Sequence, residues 1–158
     1  MPEMLSYCNV ILGDIDTANF MLGMEKVDPD YTDEVALKGF YSKLFEKCPN
    51  LKIAATTLRY SVSASHQRIG GVLYDGNSIY KAAVKEVTPV VDRVGTGDAF
   101  MGGLVYSLIT TPENLQRNID FAVAACCLKH TISGDYNLAT LQEIENSIGG
   151  NSSGLVSR

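Results

Sequence analysis

Apolar and polar residues follow two different periods in the first third of the chain. Short apolar runs at 7–13 and 51–57 are typical of buried strands. Between them, apolar residues recur at i, i+3, i+4, i+7 and i+8 and predict one amphipathic helix over 33–48. Its apolar face would consist of Leu37, Phe40, Tyr41, Leu44 and Phe45. Acidic residues followed by a closing glycine predict a shorter helix over 14–23.

The pattern then changes to strands, followed by further helices. Segments 60–67 and 68–76 predict the two strands of a hairpin, and 77–84 predicts an edge strand after a turn. Helical spacing returns over 98–109 and 113–130, and a short helix is predicted over 138–148.

This order of elements predicts an α/β protein. A strand, a helix and a second strand predict a right-handed crossover onto a parallel sheet, with helices on both faces in three layers. The length favours one domain, which we place at 1–148. The Gly/Ser-rich residues 149–158 are predicted to form a flexible tail.

Composition narrows the classes of function. The net charge of −5 argues against a nucleic-acid partner, and no apolar run approaches the roughly 20 residues that span a bilayer. Four cysteines lack the spacing of metal ligands and are expected to be reduced. With no leader pattern at the start, we expect a cytoplasmic protein. His66 and His130 lack partner patterns and are expected to be structural.

The segment DRVGTGDAFMGG, residues 92–103, carries the most informative chemistry. Glycines at the start of a helix expose backbone N–H groups, which bind anions. The segment does not fit the Walker loop, and Phe100 breaks the G-x-G-x-x-G dinucleotide pattern. A carboxylate beside a bound phosphate makes sense as a base for an attacking hydroxyl. The alternative, equally favoured by spacing alone, is that Asp98 merely caps or favours the helix start.

The same segment resembles the D-T-x-G-A-G-D signature of the PfkB, or ribokinase-like, carbohydrate kinases, with Arg93 for the usual Thr and Thr96 for the usual Ala. The resemblance implies that Asp98 is the catalytic base and also contacts the sugar. The backbone N–H groups of Gly95, Thr96, Gly97 and Asp98 would form the anion hole. Asp92 and the carbonyl of Val94 would lie near a monovalent cation, for which K⁺ is the candidate.

The stretches TTLRYSVSASHQRIGGVLYDG and LKHTISGDYNLAT are similar to bacterial 2-keto-3-deoxygluconate kinases of that family. This resemblance implies that Thr57 and Arg59 lie near the nucleotide phosphates and that Asp135 approaches the sugar acid. Val123 and Asn137 would border the adenine pocket. Asp14 stands where the family has the Asn of N-x-x-E, so it would either hold hydrated Mg²⁺ or favour a helix start.

By this resemblance, the chain is the C-terminal part of a ribokinase-like fold without the N-terminal half and its β-lid. The implied activity is ATP- and Mg²⁺-dependent phosphorylation of 2-keto-3-deoxygluconate to its 6-phosphate. Two alternatives stay open: a fructokinase or ribokinase of the same family, and a nucleotide-binding module without kinase activity. The first strand would expose an open sheet edge, so we expect a homo-oligomer or a piece of a longer chain.

Overall fold

The computed structural model describes residues 2–24 and 32–149, and it shows a mixed α/β fold. The predicted fold class is therefore confirmed. The predicted loop 24–32 and tail 149–158 lie mostly outside the described residues. The chain divides into two compact units, which are described separately below: the first comprises Met1–Thr56 and Val72–Tyr80, and the second comprises Thr57–Gly71 and Lys81–Arg158.

The first unit contains the N-terminal helices and the start of the sheet. Its complete elements are α1 (Pro2–Leu5), β1 (Val10–Leu12), α2 (Ile15–Leu22) and α3 (Glu34–Lys47). The predicted helix over 14–23 is confirmed, because Asp14 caps its start and Gly23 ends it in the left-handed region at φ 60°. Asp33 caps α3 by accepting from two backbone N–H groups.

The sheet runs in the order β1-β2-β3-β4, with β2 at Ile53–Ser63, β3 at His66–Tyr74 and β4 at Ile79–Val87. β1 pairs with β2 in parallel, as predicted, with Val10 opposite Ile53 and Leu12 opposite Ala55. The prediction that β1 is buried is wrong, since all three of its residues are half-buried. Among the described strands β1 has a partner on one side only. The oligomer expected from that edge stays a prediction.

One face of α3 builds the core of the first unit. The structure buries Leu37, Phe40, Tyr41 and Leu44, four of the five residues on the predicted apolar face, and leaves Phe45 half-buried. The ring of Tyr41 stacks on Tyr74, with centroids 5.5 Å apart, and its hydroxyl lies 2.8 Å from the hydroxyl of Thr56. The hydroxyl therefore has a partner although the ring is fully buried.

In the second unit the hairpin prediction needs a correction. Segments 51–57 and 60–67 were expected to be separate strands, but β2 joins residues 53–63 into one strand of 11 residues, and residues 66–67 belong to β3. Residues 64–65 then turn the chain into β3. Two connecting residues make β2 and β3 antiparallel neighbours. β4 follows as predicted, after a turn in which the Asp75 carboxylate accepts from the N–H groups of Asn77 and Ser78.

Three helices complete the second unit: α4 (Thr96–Thr110), α5 (Leu115–Lys129) and α6 (Leu141–Ile148). α4 and α5 pack closely because Gly103 has no side chain; a Cβ there would lie 2.9 Å from the Cβ of Ala125. Phe121, Leu128 and Ile144 form part of an apolar cluster between α5 and α6. No helix in the described ranges is long and apolar enough to cross a membrane.

Candidate active site

The turn before α4 is formed by a glycine in the left-handed region. Gly95 has φ 71° and ψ 3° and is the N-cap residue of the helix, with no side chain bonded to the helix start. The first helical hydrogen bond runs from the N–H of Ala99 to the carbonyl of Gly95, at 2.9 Å. The N–H groups of Thr96, Gly97 and Asp98 precede this bond, so they have no carbonyl of the helix to bind.

These N–H groups form an electropositive helix end, which is exposed at Gly97 and Asp98. The helix dipole adds partial positive charge there. Gly97 is exposed, and a Cβ placed on it would meet no atom within 4 Å. The start of α4 therefore has the properties of an anion site: unpaired donors, favourable charge and room for a ligand.

The side chain of Asp98 is available at this helix end. It belongs to the third residue of α4, it is exposed, and no hydrogen bond or ion pair in the described part of the chain engages its carboxylate. The capping alternative therefore does not apply, because Gly95 is the cap and no side chain accepts from the helix start. Interaction with the helix dipole remains, as for any acidic residue in a first turn.

Asp135 lies directly against this turn. A Cβ on Gly95 would lie 2.1 Å from the backbone oxygen of Asp135 and 2.7 Å from its Oδ1. The positive φ and this contact both require glycine at position 95. The turn of the motif and the loop after α5, which are 40 residues apart in sequence, are thus in contact.

Asp92 holds the same two segments together. Its Oδ1 accepts from the N–H of Val94 at 3.0 Å, and its Oδ2 accepts from the N–H of Gly134 at 2.8 Å. These hydrogen bonds lower the pKa of Asp92 below its ordinary value of 3.8, and the bond from Val94 has the largest effect. The carbonyl of His130 also connects the two segments, because it accepts hydrogen bonds from the N–H groups of Val91 and Asp92.

A cavity of about 460 Å³ extends from the motif along α4, α5 and α6. Its lining from the motif and the loop after α5 includes Gly95, Asp98 and Asp135. Asn137, predicted to border the adenine, also lines it. Apolar walls are contributed by Ala99, Tyr106, Phe121, Ala125, Leu141 and Ile144. This volume and this mix of apolar walls with a few polar groups are typical of small-ligand sites.

The comparisons with known proteins agree with this fold, although no family model matches the chain. A curated relative, the 2-dehydro-3-deoxygalactonokinase of Haloferax volcanii, is 34% identical over 86 residues, which are 54% of this chain and 26% of the relative. Among solved structures, the 2-dehydro-3-deoxygluconokinase of Thermotoga maritima matches with a TM-score of 0.82 and 29% identity, over 94% of this chain and 43% of that one.

A putative 2-keto-3-deoxygluconate kinase from Enterococcus faecalis matches with a TM-score of 0.79 and 25% identity, over 98% of this chain and 44% of that chain. A PfkB family carbohydrate kinase from Listeria grayi matches with a TM-score of 0.82 and 24% identity, over 94% of this chain and 43% of that chain. This chain has a partial ribokinase-like fold. Its structural neighbours are PfkB-family carbohydrate kinases, so the resemblance stated from the sequence is confirmed, and the chain spans less than half the length of each of these proteins.

Within this ribokinase-like fold, Arg59 reaches the motif from β2. Its Nη2 donates to Oγ1 of Thr96 at 3.0 Å. Thr57, two residues earlier on the same strand, is half-buried and does not line the cavity. The structure therefore brings Arg59, but not Thr57, to the predicted anion hole. The contact of either residue with a nucleotide stays a prediction.

The position of Val123 does not fit its predicted role. Its side chain is fully buried in α5, where its Cγ2 would lie 2.8 Å from a Cβ on Gly71. Because this face of α5 packs inward, Val123 has no surface for an adenine. The α5 residues that do line the cavity are Phe121 and Ala125.

The predicted ligands belong to two different ions: Asp14 to Mg²⁺, and Asp92 with the carbonyl of Val94 to a monovalent cation. Asp14 belongs to the first unit, and its Oδ1 accepts from the N–H of Thr17 at 2.6 Å as the cap of α2. Both oxygens of Asp92 bind backbone N–H groups, and Val94 is exposed beside them. Across residues 2–24 and 32–149, no three acidic, His or Cys side chains are placed to hold a metal ion. Asp14 therefore does not by itself fit a Mg²⁺ site.

Sequence reasoning missed the aromatic wall of the cavity. Tyr106 and Phe121 lie with ring centroids 5.4 Å apart, and Tyr136 also lines the site. The signal was present in α4, where Ala99, Gly102, Gly103 and Tyr106 follow helical spacing. Three small residues and one ring on a single helix face indicate a groove beside an aromatic platform.

Proposed function

We propose that this chain carries the phosphotransfer site of an ATP-dependent sugar-acid kinase that converts 2-keto-3-deoxygluconate to its 6-phosphate. One observation carries the proposal: the uncapped start of α4 leaves three N–H groups without a helix partner, and beside them the free carboxylate of Asp98 lines the cavity. Donors for a phosphoryl group and a base for an acceptor hydroxyl are then adjacent, which is what phosphoryl transfer to an alcohol requires.

The chemistry follows from these groups. Asp98 takes the proton of the sugar's primary hydroxyl as its oxygen forms a bond to the γ-phosphorus of ATP. The bond from that phosphorus to the bridging oxygen breaks, and ADP leaves. The N–H groups of Thr96, Gly97 and Asp98 stabilise the negative charge on the transferred group. Mg²⁺ bound to ATP would supply neutralisation of phosphate charge; no step here depends on a protein site for it.

The cavity gives the nucleotide a place beside this centre. Adenine would lie between the apolar walls, near Tyr106 and Phe121, with Asn137 available for a hydrogen bond. Asp135, which lies against Gly95, would accept a hydrogen bond from the sugar. K⁺ near Asp92 and Val94 belongs to the proposal as well. The four free cysteines fit a reducing compartment, and we propose the cytoplasm.

The substrate class rests on the relatives. The Haloferax protein is named for a 2-dehydro-3-deoxygalactonate, and the Thermotoga and Enterococcus proteins are named for the gluconate counterpart. All three names describe 2-keto-3-deoxy sugar acids, which favours a sugar acid over fructose or ribose. The test is an ADP-release assay of the whole chain with each of these four acceptors, beside calorimetry with ATP and Mg²⁺.

We expect ADP release with 2-keto-3-deoxygluconate above the other acceptors. Preference for fructose or ribose would identify a different sugar kinase. Nucleotide binding without ADP release from any acceptor would identify a binding module and refute the kinase proposal.

Replacing Asp98 tests the mechanism. Asp98→Asn keeps the shape but cannot take a proton, so turnover should fall by at least about 100-fold while ATP affinity is retained. Glu113→Gln, the same change at an exposed carboxylate before α5, is the matched control and should leave turnover unaltered. Near-normal turnover of Asp98→Asn would remove Asp98 from the mechanism.

A further inference from the structure

The hydroxyl of Thr96 makes two hydrogen bonds at the base of the anion site. It donates to the backbone carbonyl of Arg93 at 3.0 Å and accepts from Nη2 of Arg59, also at 3.0 Å. The residue is only 2% exposed, so water does not compete for these bonds. Thr96 thus connects the loop before α4, the helix itself and a charged side chain from β2.

Arg59 is exposed on its strand, and its guanidinium has more donors than the structure uses. A guanidinium carries five N–H groups, and within the described residues the bond to Thr96 is the one that holds it. The long Arg side chain has many rotamers, so a single buried acceptor decides where its charge lies. That acceptor belongs to the first residue of α4, whose own N–H is one of the free donors.

The charge of Arg59 acts on the adjacent end of α5. Burial is the main cause that lowers the pKa of His130, and the positive charge of Arg59 acts in the same direction. Arg59 also opposes the burial that raises the pKa of the Cys126 thiol to about 11. These directions agree with the hydrogen bond to Thr96, which brings the guanidinium close to the buried segment under the motif.

We propose that Thr96 is a positioning residue, whose hydroxyl holds the Arg59 guanidinium beside the free N–H groups at the start of α4. The remaining donors of Arg59 then act on the same anion as those N–H groups. The inference rests on the proposed function and adds a role for a side chain. An Ala at this position, as in the family signature, retains the backbone N–H but lacks the hydroxyl that orients Arg59.

Substitutions at the two ends of the bond test this role. Thr96→Val keeps the shape and removes the hydroxyl, and Thr96→Ser keeps the hydroxyl and removes the methyl group. We expect Thr96→Val to lower kcat by about 10-fold, the size typical of a lost hydrogen bond to a charged group, with a smaller change in the KM for ATP. Thr96→Ser should restore most of the rate.

Non-additivity separates positioning from a general effect on folding. Arg59→Ala should lower kcat at least as much as Thr96→Val, and the double variant should match Arg59→Ala alone, because the hydroxyl acts through Arg59. Additive losses would overturn the proposal, and so would a Thr96→Val variant with wild-type kcat in an active enzyme.

A second measurement does not depend on kinase activity. In a protein with ¹⁵N-labelled arginine, a guanidinium held by a buried acceptor gives resolved, slowly exchanging NMR signals. The Arg59 signals, assigned by Arg59→Lys, should be resolved in wild type and Thr96→Ser and averaged in Thr96→Val. The same Arg59 signals in Thr96→Val and wild type would overturn the proposal. Absence of ADP release, in contrast, would refute the proposed function alone.

Discussion

Replacing Gly95 by alanine tests whether the anion-binding turn has the structure described. Two independent penalties arise. At φ 71° a residue with a Cβ costs about 1–2 kcal/mol relative to glycine. The new Cβ would also lie 2.1 Å from the backbone oxygen of Asp135, a distance at which the backbone has to move. Because the displaced backbone would also disturb the hydrogen bonds around the turn, we expect a total loss of about 2–4 kcal/mol in the free energy of unfolding.

The control for this experiment is Gly97, two residues later. It lies inside α4, and a Cβ there would meet nothing within 4 Å. Gly97→Ala should therefore stabilise the helix, by about 0.5–1 kcal/mol. Because the chain has no Trp, far-UV circular dichroism is the suitable probe of unfolding.

At this chain length, each kcal/mol corresponds to roughly 2–4 °C in Tm. We thus expect Gly95→Ala to melt about 4–16 °C below wild type and Gly97→Ala to melt slightly above it. Equal melting of Gly95→Ala and wild type would refute both the left-handed turn and its contact with Asp135. A loss shared equally by both variants would show that the helix start, rather than the turn, is sensitive.

Two further predictions concern the packing and the pH response of the second unit. Gly103→Ala should destabilise the protein by about 1–3 kcal/mol, because its Cβ would lie 2.9 Å from that of Ala125. Gly102→Ala, which has open space around it, is the control and should not destabilise the protein. Equal urea midpoints for the two variants would contradict this prediction. Asp92→Asn should lose stability relative to wild type above pH 3.8, where the native carboxylate is charged, because its pKa is lowered in the folded state. The difference between the two proteins should shrink as pH falls below 3.8 through the lowered pKa, and a pH-independent difference in urea unfolding would contradict the role of its charge.

Helices were predictable because their signals are local. The apolar spacing of α3, the acidic start of α2 and the left-handed Gly23 lie within a few residues of the element they define. Predicted boundaries differ from the observed ones by up to three residues, as for α6, which begins at Leu141 after its Thr140 cap. A capping box of Thr140 and Glu143 sets that start.

Strands were less predictable because their extent depends on neighbours. β2 continues past Leu58 with five exposed residues, a stretch whose mixed pattern resembles the start of a new strand. Pairing in the sheet continues the strand there, and no local residue signals it. β1 is short and half-buried for a related reason: burial of a strand is decided by what covers it, and β1 lies at the end of the sheet order.

The candidate site shows the same division between local and distant information. The free N–H groups and Asp98 follow from the segment 95–98 alone, and the sequence indicated them. The contacts that complete the site do not follow from this segment: Asp135 lies against Gly95, Gly134 donates to Asp92, and Arg59 reaches Thr96 from β2. Nothing local pairs residues 37 to 42 positions apart.

The substitution of Thr for the usual Ala at position 96 illustrates the consequence. From the sequence it was a tolerated change, since the backbone N–H is kept. In the folded chain its hydroxyl is buried and joins Arg59 to the loop at Arg93, the other position where the segment departs from the signature. Because the Arg93 contact uses only the backbone carbonyl, the departure at 93 is not required by the one at 96. The side chain of Thr96 can thus be tested separately from its N–H, and Thr96→Ser against Thr96→Val is the comparison that separates them.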